Sequence, residues 1–264
     1  MNRTDQKIIE MMSKASDLNS GVETSYRYCL LTVPRSGSWL LSKMLGNTGL
    51  CGLPMEYLNV RYLRAYGAHA GVDGVRVNEY LSELEQRRTS ENGVFGLKMH
   101  WSQFLNVYGT DQGIRDEGRQ FLSQMDCLIR LYRQDKVAQA VSHYIAEQSD
   151  QWRVDHDDVE EDSFDMESIK FAPLAITESL LRLVREEQMW KRYLERRNIP
   201  YHSISYEQLA GEYEESSRTV LSWMGLDGQS IDIPEPATKK QANELNERLK
   251  QEYVDYIGAA APQL

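Results

Sequence analysis

Residues 28–49 join a continuous apolar run to a helical pattern through the pentapeptide PRSGS at residues 34–38. The run YCLLTV at residues 28–33 is typical of a strand that is buried on both faces of a parallel sheet. In the following segment, WLLSKMLGNTG, apolar residues recur at helical spacing and Gly49 suits a helix end. The sequence therefore predicts a strand, a tight turn and a helix, with the pentapeptide at the helix N-terminus.

The composition of this pentapeptide predicts an anion-binding turn. A helix N-terminus presents free backbone N–H groups and the positive end of the helix macrodipole. Gly37 lets the backbone approach an anion closely, and Arg35 adds a fixed positive charge. Ser36 and Ser38 add hydroxyl donors. The alternative is an ordinary capped helix, because serine is a common N-cap residue.

Two other enzyme classes place similar residues at such a turn, and both are disfavoured. A P-loop kinase needs G-x-x-x-x-G-K-[ST], but no lysine follows Gly37 and the earlier glycine is missing. In a tyrosine phosphatase five residues separate a cysteine from Arg-Ser, and Cys29 has that spacing before Arg35. Here the intervening LLTVP is an apolar strand, which places Cys29 far from the helix N-terminus that activates such a thiol.

The rest of the chain alternates strands with helices. Further strands are predicted at three apolar runs, residues 94–99, 127–132 and 201–205. Helices are predicted after a cap at Asp135 and over residues 173–197, 213–224 and 245–257. This alternation predicts an α/β fold whose central, mainly parallel sheet is flanked by helices. We expect residues 1–24 to be a helical or flexible leader and residues 25–264 to form one domain.

Composition and charge narrow the class of function. The net charge is −10, which disfavours nonspecific nucleic-acid binding but allows a few local cations to hold a small anion. No apolar run approaches the roughly 20 residues that cross a bilayer, and residues 1–24 lack the core of a signal peptide. We therefore expect a cytoplasmic protein without an integral membrane segment.

No pattern in the sequence predicts a metal site. Cys29, Cys51 and Cys127 lack metal-ligand spacing and are expected to be free thiols of a reducing compartment. The acidic stretch at residues 155–167 lacks the ligand order of a calcium loop, and we predict a solvated loop there.

Several blocks in order resemble a known family. They are RSGS (35–38), TG (48–49), PMEY (54–57), VFGLKMHW (94–101), the run at 130–153, SISYEQL (203–209) and KKQAN (239–243). Over residues 26–255 the chain resembles the bacterial carbohydrate sulfotransferases related to trehalose 2-sulfotransferase. The resemblance implies a P-loop-NTPase-like three-layer sandwich and the co-substrate 3′-phosphoadenosine 5′-phosphosulfate (PAPS), with no metal. It further implies in-line transfer of a sulfuryl group to a hydroxyl of a carbohydrate or glycoside, and a homodimer.

The resemblance also implies which residues bind the donor. Residues 35–38 match the site of the 5′-phosphosulfate, although cytosolic sulfotransferases usually carry lysine where Arg35 stands. Arg133 and Ser142 match the site of the 3′-phosphate. Tyr206 matches a tyrosine near adenine. Lys239 and Lys240 match a basic segment that closes over the nucleotide. The residues outside the turn also have plain structural interpretations: Arg133 as a surface residue at a strand end, Ser142 as a neutral helix residue, Tyr206 as a core-edge residue, and the two lysines as solvated loop charges.

Two residues compete for the role of the base that takes the acceptor proton. Glu56 matches the glutamate of the trehalose-sulfating relatives, and His100 matches the basic histidine of cytosolic sulfotransferases. Lys98 is a candidate partner for the sulfonate or bridging oxygen, as Arg35 is. Tyr57 and Trp152, together with Glu56 and His100, are candidates for acceptor binding.

The sequence does not specify the identity of the acceptor, its sulfated hydroxyl, or the roles of residues 58–93 and 150–172. Two other functions stay open beside the sulfotransferase: a P-loop-like small-molecule kinase, and a nucleotide-binding module without catalysis.

Overall fold

The computed structural model describes residues 3–18, 21–71, 74–152, 165–236 and 244–260. Strands and helices alternate along these ranges. The strands are β1 (Tyr26–Thr32), β2 (Val94–His100), β3 (Gly109–Thr110), β4 (Gly113–Ile114), β5 (Cys127–Tyr132) and β6 (His202–Ser205). The α-helices are α1 (Arg3–Met12), α2 (Ser38–Asn47), α3 (Val60–Ala70), α4 (Val77–Arg88), α5 (Trp101–Tyr108), α6 (Asp116–Ser123), α7 (Lys136–Ser149), α8 (Pro173–Arg196), α9 (Tyr206–Gly211), α10 (Tyr213–Trp223) and α11 (Glu244–Ala260).

The central sheet has the strand order β2-β1-β5-β6, and each neighbouring pair is parallel. Thr32 at the end of β1 pairs with His100 at the end of β2, and Tyr132 of β5 pairs with Ser205 of β6. The four predicted strands are thereby confirmed. Because all four strands run the same way, the segments that follow them meet at one edge of the sheet, where open α/β sheets bind ligands.

Side chains of β1 alternate between two cores. Tyr28 and Leu30 face the core that α2, α9 and α10 complete, whereas Cys29 and Leu31 face the core built with α4, α5 and α8. Helices therefore cover both faces of the sheet, and the predicted three-layer α/β sandwich is confirmed. Among the described residues, no helix is both long enough and apolar enough to span a bilayer.

The predicted helices form close to their expected bounds. Asp135 caps α7, since its Oδ1 accepts a hydrogen bond of 2.9 Å from the backbone N–H of Ala138. Pro173 opens α8, where its missing N–H and fixed φ are tolerated. Long apolar faces explain why these helices could be predicted from sequence.

Arg88 joins the N-terminal segment to the rest of the fold. Its side chain is 1% exposed, and its Nη atoms donate to the carbonyls of Met11, Ser13 and Ser16. Its Nε lies 2.9 Å from Asp17 Oδ1. The described part of the segment predicted as a leader thus packs against the end of α4.

Candidate active site

The turn between β1 and α2 has the backbone geometry of an anion cradle. Gly37, at the N-cap of α2, has a φ of 82°, and Arg35 has a φ of 61°. Within the described chain, the N–H groups of Ser36, Gly37 and Ser38 donate to no protein acceptor. Ser36 Oγ donates to the carbonyl of Val33 over 2.9 Å, so this hydroxyl shapes the turn while the amide remains available. Successive unbonded amides at a helix N-terminus are suited to bind a phosphate or sulfonate.

Gly37 also permits the close approach of Tyr206, the first residue of α9. A Cβ atom at position 37 would lie 2.4 Å from Tyr206 Cδ2, which no side chain tolerates. The guanidinium carbon of Arg133 lies 4.8 Å from the centre of the Tyr206 ring. Three residues predicted to bind the donor, on β1–α2, β5–α7 and β6–α9, are therefore neighbours.

Arg35 connects the turn to α7, and the region between these two elements is called the cleft below. Its Nε donates to Ser142 Oγ over 2.9 Å, and its Nη1 donates to the carbonyl of Trp152 over 2.7 Å. Burial, and then the charge of Arg133, lower the pKa of the Arg35 guanidinium to about 10. An anion bound beside both arginines would offset the burial of the Arg35 charge and its repulsion by Arg133.

Arg133 lies on the same side of the sheet edge as the turn. Its Nη1 donates to the carbonyl of Arg35 over 3.4 Å. Its Nε is buried and meets no acceptor within the described chain. Lys136 donates from Nζ to the carbonyl of Arg133 and, over 2.6 Å, to Glu187 Oε2, which secures the backbone at the end of β5. The two predicted anion-binding groups, residues 34–38 and the Arg133–Ser142 pair, thus share one cleft.

Glu56 reaches this cleft because its segment pairs with the free edge of β2. Met55 forms a parallel bridge with Leu97, and the N–H of Lys98 donates to the carbonyl of Met55 over 2.9 Å. Glu56 Oε1 then lies 3.2 Å from Lys98 Nζ and 3.5 Å from His100 Nε2. The two candidate bases and the candidate lysine form one cluster.

His100 connects this cluster to the end of β1. Its Nδ1 lies 2.7 Å from Thr32 Oγ1, while the carbonyl of Thr32 accepts a hydrogen bond of 3.0 Å from Trp190 Nε1. Lys98 Nζ lies 5.2 Å from the centre of the Trp39 ring on the first turn of α2. The cluster is therefore adjacent to the turn at residues 34–38.

Two amide side chains beside Glu56 were not predicted from the sequence. Gln103 Nε2 donates to Glu56 Oε2 over 2.8 Å, and Asn59 Nδ2 donates to the same oxygen over 3.1 Å. Both residues stand at helix N-termini, three residues after His100 and Glu56 respectively. The sequence signal that could have revealed both residues is a polar residue three positions after each candidate base.

Tyr57, predicted to contact the acceptor, packs in the core. Its side chain is fully buried, its hydroxyl donates to the carbonyl of Leu53, and its ring stacks on Phe95 at 6.1 Å. Burial raises the pKa of the Tyr57 hydroxyl. Tyr57 is a core residue in this structure, and its expected contact with the acceptor stays a prediction.

Trp152 lies where α7 ends. Its ring is half-buried and meets the edge of His143 at 5.4 Å, and its carbonyl accepts from Arg35. His143 is buried beside Arg182, and burial together with that cation lowers its pKa to about 3. Lys239 and Lys240 lie outside the described residues, as does most of the acidic stretch.

Comparison with known proteins identifies the family of this chain. The model of the family described as Stf0 sulphotransferase matches residues 27–255. A trehalose 2-sulfotransferase of Mycobacterium tuberculosis is 29% identical over 269 residues, covering 90% of this chain and 96% of that protein. A trehalose 2-sulfotransferase of Mycolicibacterium smegmatis is 24% identical over 256 residues, covering 86% and 93%. The crystal structure of a sulfotransferase from Alicyclobacillus acidocaldarius aligns with a TM-score of 0.47 at 14% identity, covering 89% and 94%.

Proposed function

The chain belongs to the Stf0 sulphotransferase family, and we propose that it transfers a sulfuryl group from PAPS to a hydroxyl of a carbohydrate or glycoside. The observation that carries the proposal is the hydrogen bond between Arg35 and Ser142. It joins a turn suited to a 5′-phosphosulfate to a pair of residues suited to a 3′-phosphate. A nucleotide phosphorylated at both positions needs both groups in one cleft.

For the 5′ end of the donor, the proposed ligands are the amides of residues 36–38 and the guanidinium of Arg35. The amides have no protein acceptor within the described chain, and the helix N-terminus adds a positive field. Arg35 can bridge the phosphate and the sulfonate through its planar fork. Ser38, 7% exposed, supplies its hydroxyl at the first turn of α2.

For the 3′-phosphate, the proposed ligands are Arg133 and Ser142. The buried Nε of Arg133 supports this role, because a buried donor without an acceptor is costly unless a ligand fills the site. Ser142 already contacts Arg35, so the proposed 3′-phosphate site borders the proposed site of the 5′-phosphosulfate. Tyr206 would stack on the adenine from its place beside Gly37 and Arg133. The role of Lys239 and Lys240 in closing over the nucleotide is proposed from the resemblance alone.

The proposed reaction is an in-line displacement at sulfur. The acceptor oxygen forms a bond to sulfur while the bond from sulfur to the 5′-phosphate oxygen breaks, and that electron pair leaves with 3′-phosphoadenosine 5′-phosphate (PAP). The acceptor proton goes to Glu56. Lys98 stabilises charge on the sulfonate and bridging oxygens. The leaving group is already a stabilised phosphate, so the reaction requires no metal ion.

Glu56 is the base in this proposal, and His100 aligns it. Lys98 and two amide donors favour the ionised form of Glu56, which is the form that accepts a proton. Both ring nitrogens of His100 have neighbours, Thr32 at Nδ1 and Glu56 at Nε2, as expected of an orienting residue. His100 is the second candidate for the base, and substitution separates the two.

A carbohydrate is the proposed acceptor because both curated relatives are trehalose 2-sulfotransferases. Trp152 supports a sugar site, since its half-buried indole could stack on a pyranose ring and its backbone carbonyl accepts from Arg35. Trehalose is one member of the proposed class, beside other glycosides. Of the helices between residues 58 and 93, α3 lies next to Glu56 through its N-cap residue Asn59.

We also propose a homodimer in the cytoplasm. Leu174 and Leu181 lie seven residues apart on α8 and are 70% and 65% exposed, which supports a partner surface there. Cys29, Cys51 and Cys127 are buried free thiols, which suits a reducing compartment. Light scattering of the purified protein tests the dimer, and fractionation of its native cells tests the compartment.

Transfer of radiolabelled sulfate from PAPS to a panel of sugars, including trehalose, tests the function. We expect label on at least one sugar, one PAP released per sulfate transferred, and far tighter binding of PAP than of ATP. Equal binding of ATP, with phosphate instead of sulfate transferred, would establish the kinase alternative. Tight PAP binding without transfer to any sugar would favour a non-catalytic module.

A further inference from the structure

The two oxygens of the Glu56 carboxylate have different surroundings. Oε2 accepts hydrogen bonds from Gln103 Nε2 at 2.8 Å and from Asn59 Nδ2 at 3.1 Å. Oε1 instead faces Lys98 Nζ at 3.2 Å and His100 Nε2 at 3.5 Å. Neutral amides thus hold one oxygen, and the titratable and cationic groups of β2 face the other.

Backbone N–H groups fix the direction of both amides. Gln103 Oε1 accepts from the N–H of His100 over 3.0 Å, and Asn59 Oδ1 accepts from the N–H of Arg61 over 3.0 Å. A backbone N–H can only donate, so each side-chain oxygen must face it and each NH₂ group must face Glu56. The N-termini of α5 and α3 therefore determine which carboxylate oxygen receives the amide donors.

We propose that Gln103 and Asn59 are positioning residues that clamp Oε2, so that Oε1 is the atom of Glu56 that accepts the acceptor proton. The inference rests on the proposed role of Glu56 as the base. Two hydrogen bonds to one oxygen hold the orientation of the carboxylate plane, which keeps the other oxygen in line with the reacting hydroxyl. Both amides also stabilise the charged form of Glu56 before the reaction.

The clamp has a readout that needs no substrate. Loss of an amide donor removes a hydrogen bond to a charged group, and should move the titration midpoint of Glu56 upward by about one pH unit per donor. Carboxyl-labelled glutamate followed by carbon NMR gives that midpoint, and Glu56→Gln assigns the signal. Lys98 and His100 keep their contacts with Oε1 in these variants, so their influence is common to all.

Asn59→Ser is the cleanest variant. Serine remains a good N-cap for α3, so the bond to the N–H of Arg61 can persist while the donor to Glu56 is lost. Gln103→Met removes the second donor at similar volume. Gln120→Met, on an exposed position of α6, is the matched control. We expect the midpoint to rise in both clamp variants and to match that of the wild type in the control.

In turnover assays we expect the clamp variants to lose about tenfold in kcat while their affinity for PAP changes less than twofold. A midpoint equal to the wild-type value in Asn59→Ser overturns the clamp. If Gln103→Met fails to fold, Asn59→Ser alone decides the test. A raised midpoint with unchanged kcat also overturns it. A raised midpoint in a protein that sulfates no acceptor overturns the proposed reaction instead, and with it the catalytic purpose of the clamp.

Discussion

Arg35 Nε donates to Ser142 Oγ over 2.9 Å, although the two residues are 107 positions apart in the chain. The contact crosses from the turn after β1 to the middle of α7, the helix that follows the neighbouring strand β5. It brings together two groups of candidate anion ligands that neighbouring parallel strands each carry at their carboxyl ends. The expected consequences concern donor selectivity, stability and proton transfer.

The first prediction concerns selectivity for the 3′-phosphate. Arg133→Leu should weaken binding of PAP by about tenfold or more, because a charge-assisted hydrogen bond is lost. Binding of AMP, which lacks the 3′-phosphate, should change little. Titration calorimetry of both nucleotides measures the ratio, with the exposed Arg192→Leu as a control. An equal loss for PAP and AMP would contradict the assignment of Arg133.

The second prediction concerns Gly37. Gly37→Ala should destabilise the fold by about 1–3 kcal/mol, because φ is 82° and the added Cβ would meet the Tyr206 ring. Binding of PAP should weaken as Tyr206 moves away. Urea unfolding and calorimetry measure the two effects. Gly211→Ala is the matched control, since nothing lies within 4 Å of its Cβ position and its φ is not positive; wild-type stability in Gly37→Ala would refute the close packing.

The third prediction separates the two candidate bases. Glu56→Gln should lower kcat by about a hundredfold or more while PAP affinity is kept, since general-base catalysis contributes 10²–10⁴-fold. His100→Ala should lower kcat less, because it removes only an orienting contact. Single-turnover assays with saturating donor measure both, beside the exposed Glu117→Gln as a control. If both variants turn over like the wild type, neither residue is the base; if His100→Ala is the more damaging, the base is His100.

The fourth prediction concerns acid stability. Burial and the Arg182 charge lower the pKa of His143 from 6.5 to about 3 in the folded protein. Between these values the unfolded chain binds a proton that the folded chain does not, so the free energy of unfolding falls as pH falls from 6.5 toward 3. His143 should contribute a slope of up to about 1.4 kcal/mol per pH unit in that window and none above it. Urea unfolding at several pH values should show a shallower slope in His143→Gln; an unchanged slope would show that His143 titrates normally.

Local patterns were sufficient to predict the strands and the long helices. A strand buried on both faces reads as an unbroken apolar run, and β5 forms over the residues predicted. The N-termini of α7 and α8 followed from Asp135 and Pro173. The helices α3 and α4 were not assigned, because their packing depends on distant partners such as the contact of Arg88 with Asp17.

Glu56 and Tyr57 are adjacent in the sequence but have different surroundings in the structure. Around Met55 the chain is extended along β2, and successive side chains of extended backbone point to opposite sides. Glu56 therefore reaches the cleft while Tyr57 enters the core. Both residues were predicted to contact the acceptor, and only the tertiary structure gives their side chains different surroundings.

By itself the sequence determined the residue types of the turn at residues 34–38, the order of the strands along the chain, and the family, because these depend on local composition and spacing. Only the tertiary structure decided that Glu56, Lys98 and His100 share one cluster, that Gln103 joins it from 47 positions away, and that Arg133 lies beside Arg35. The physical reason is that strand order in a parallel sheet is set by packing of both faces, which one-dimensional spacing does not encode.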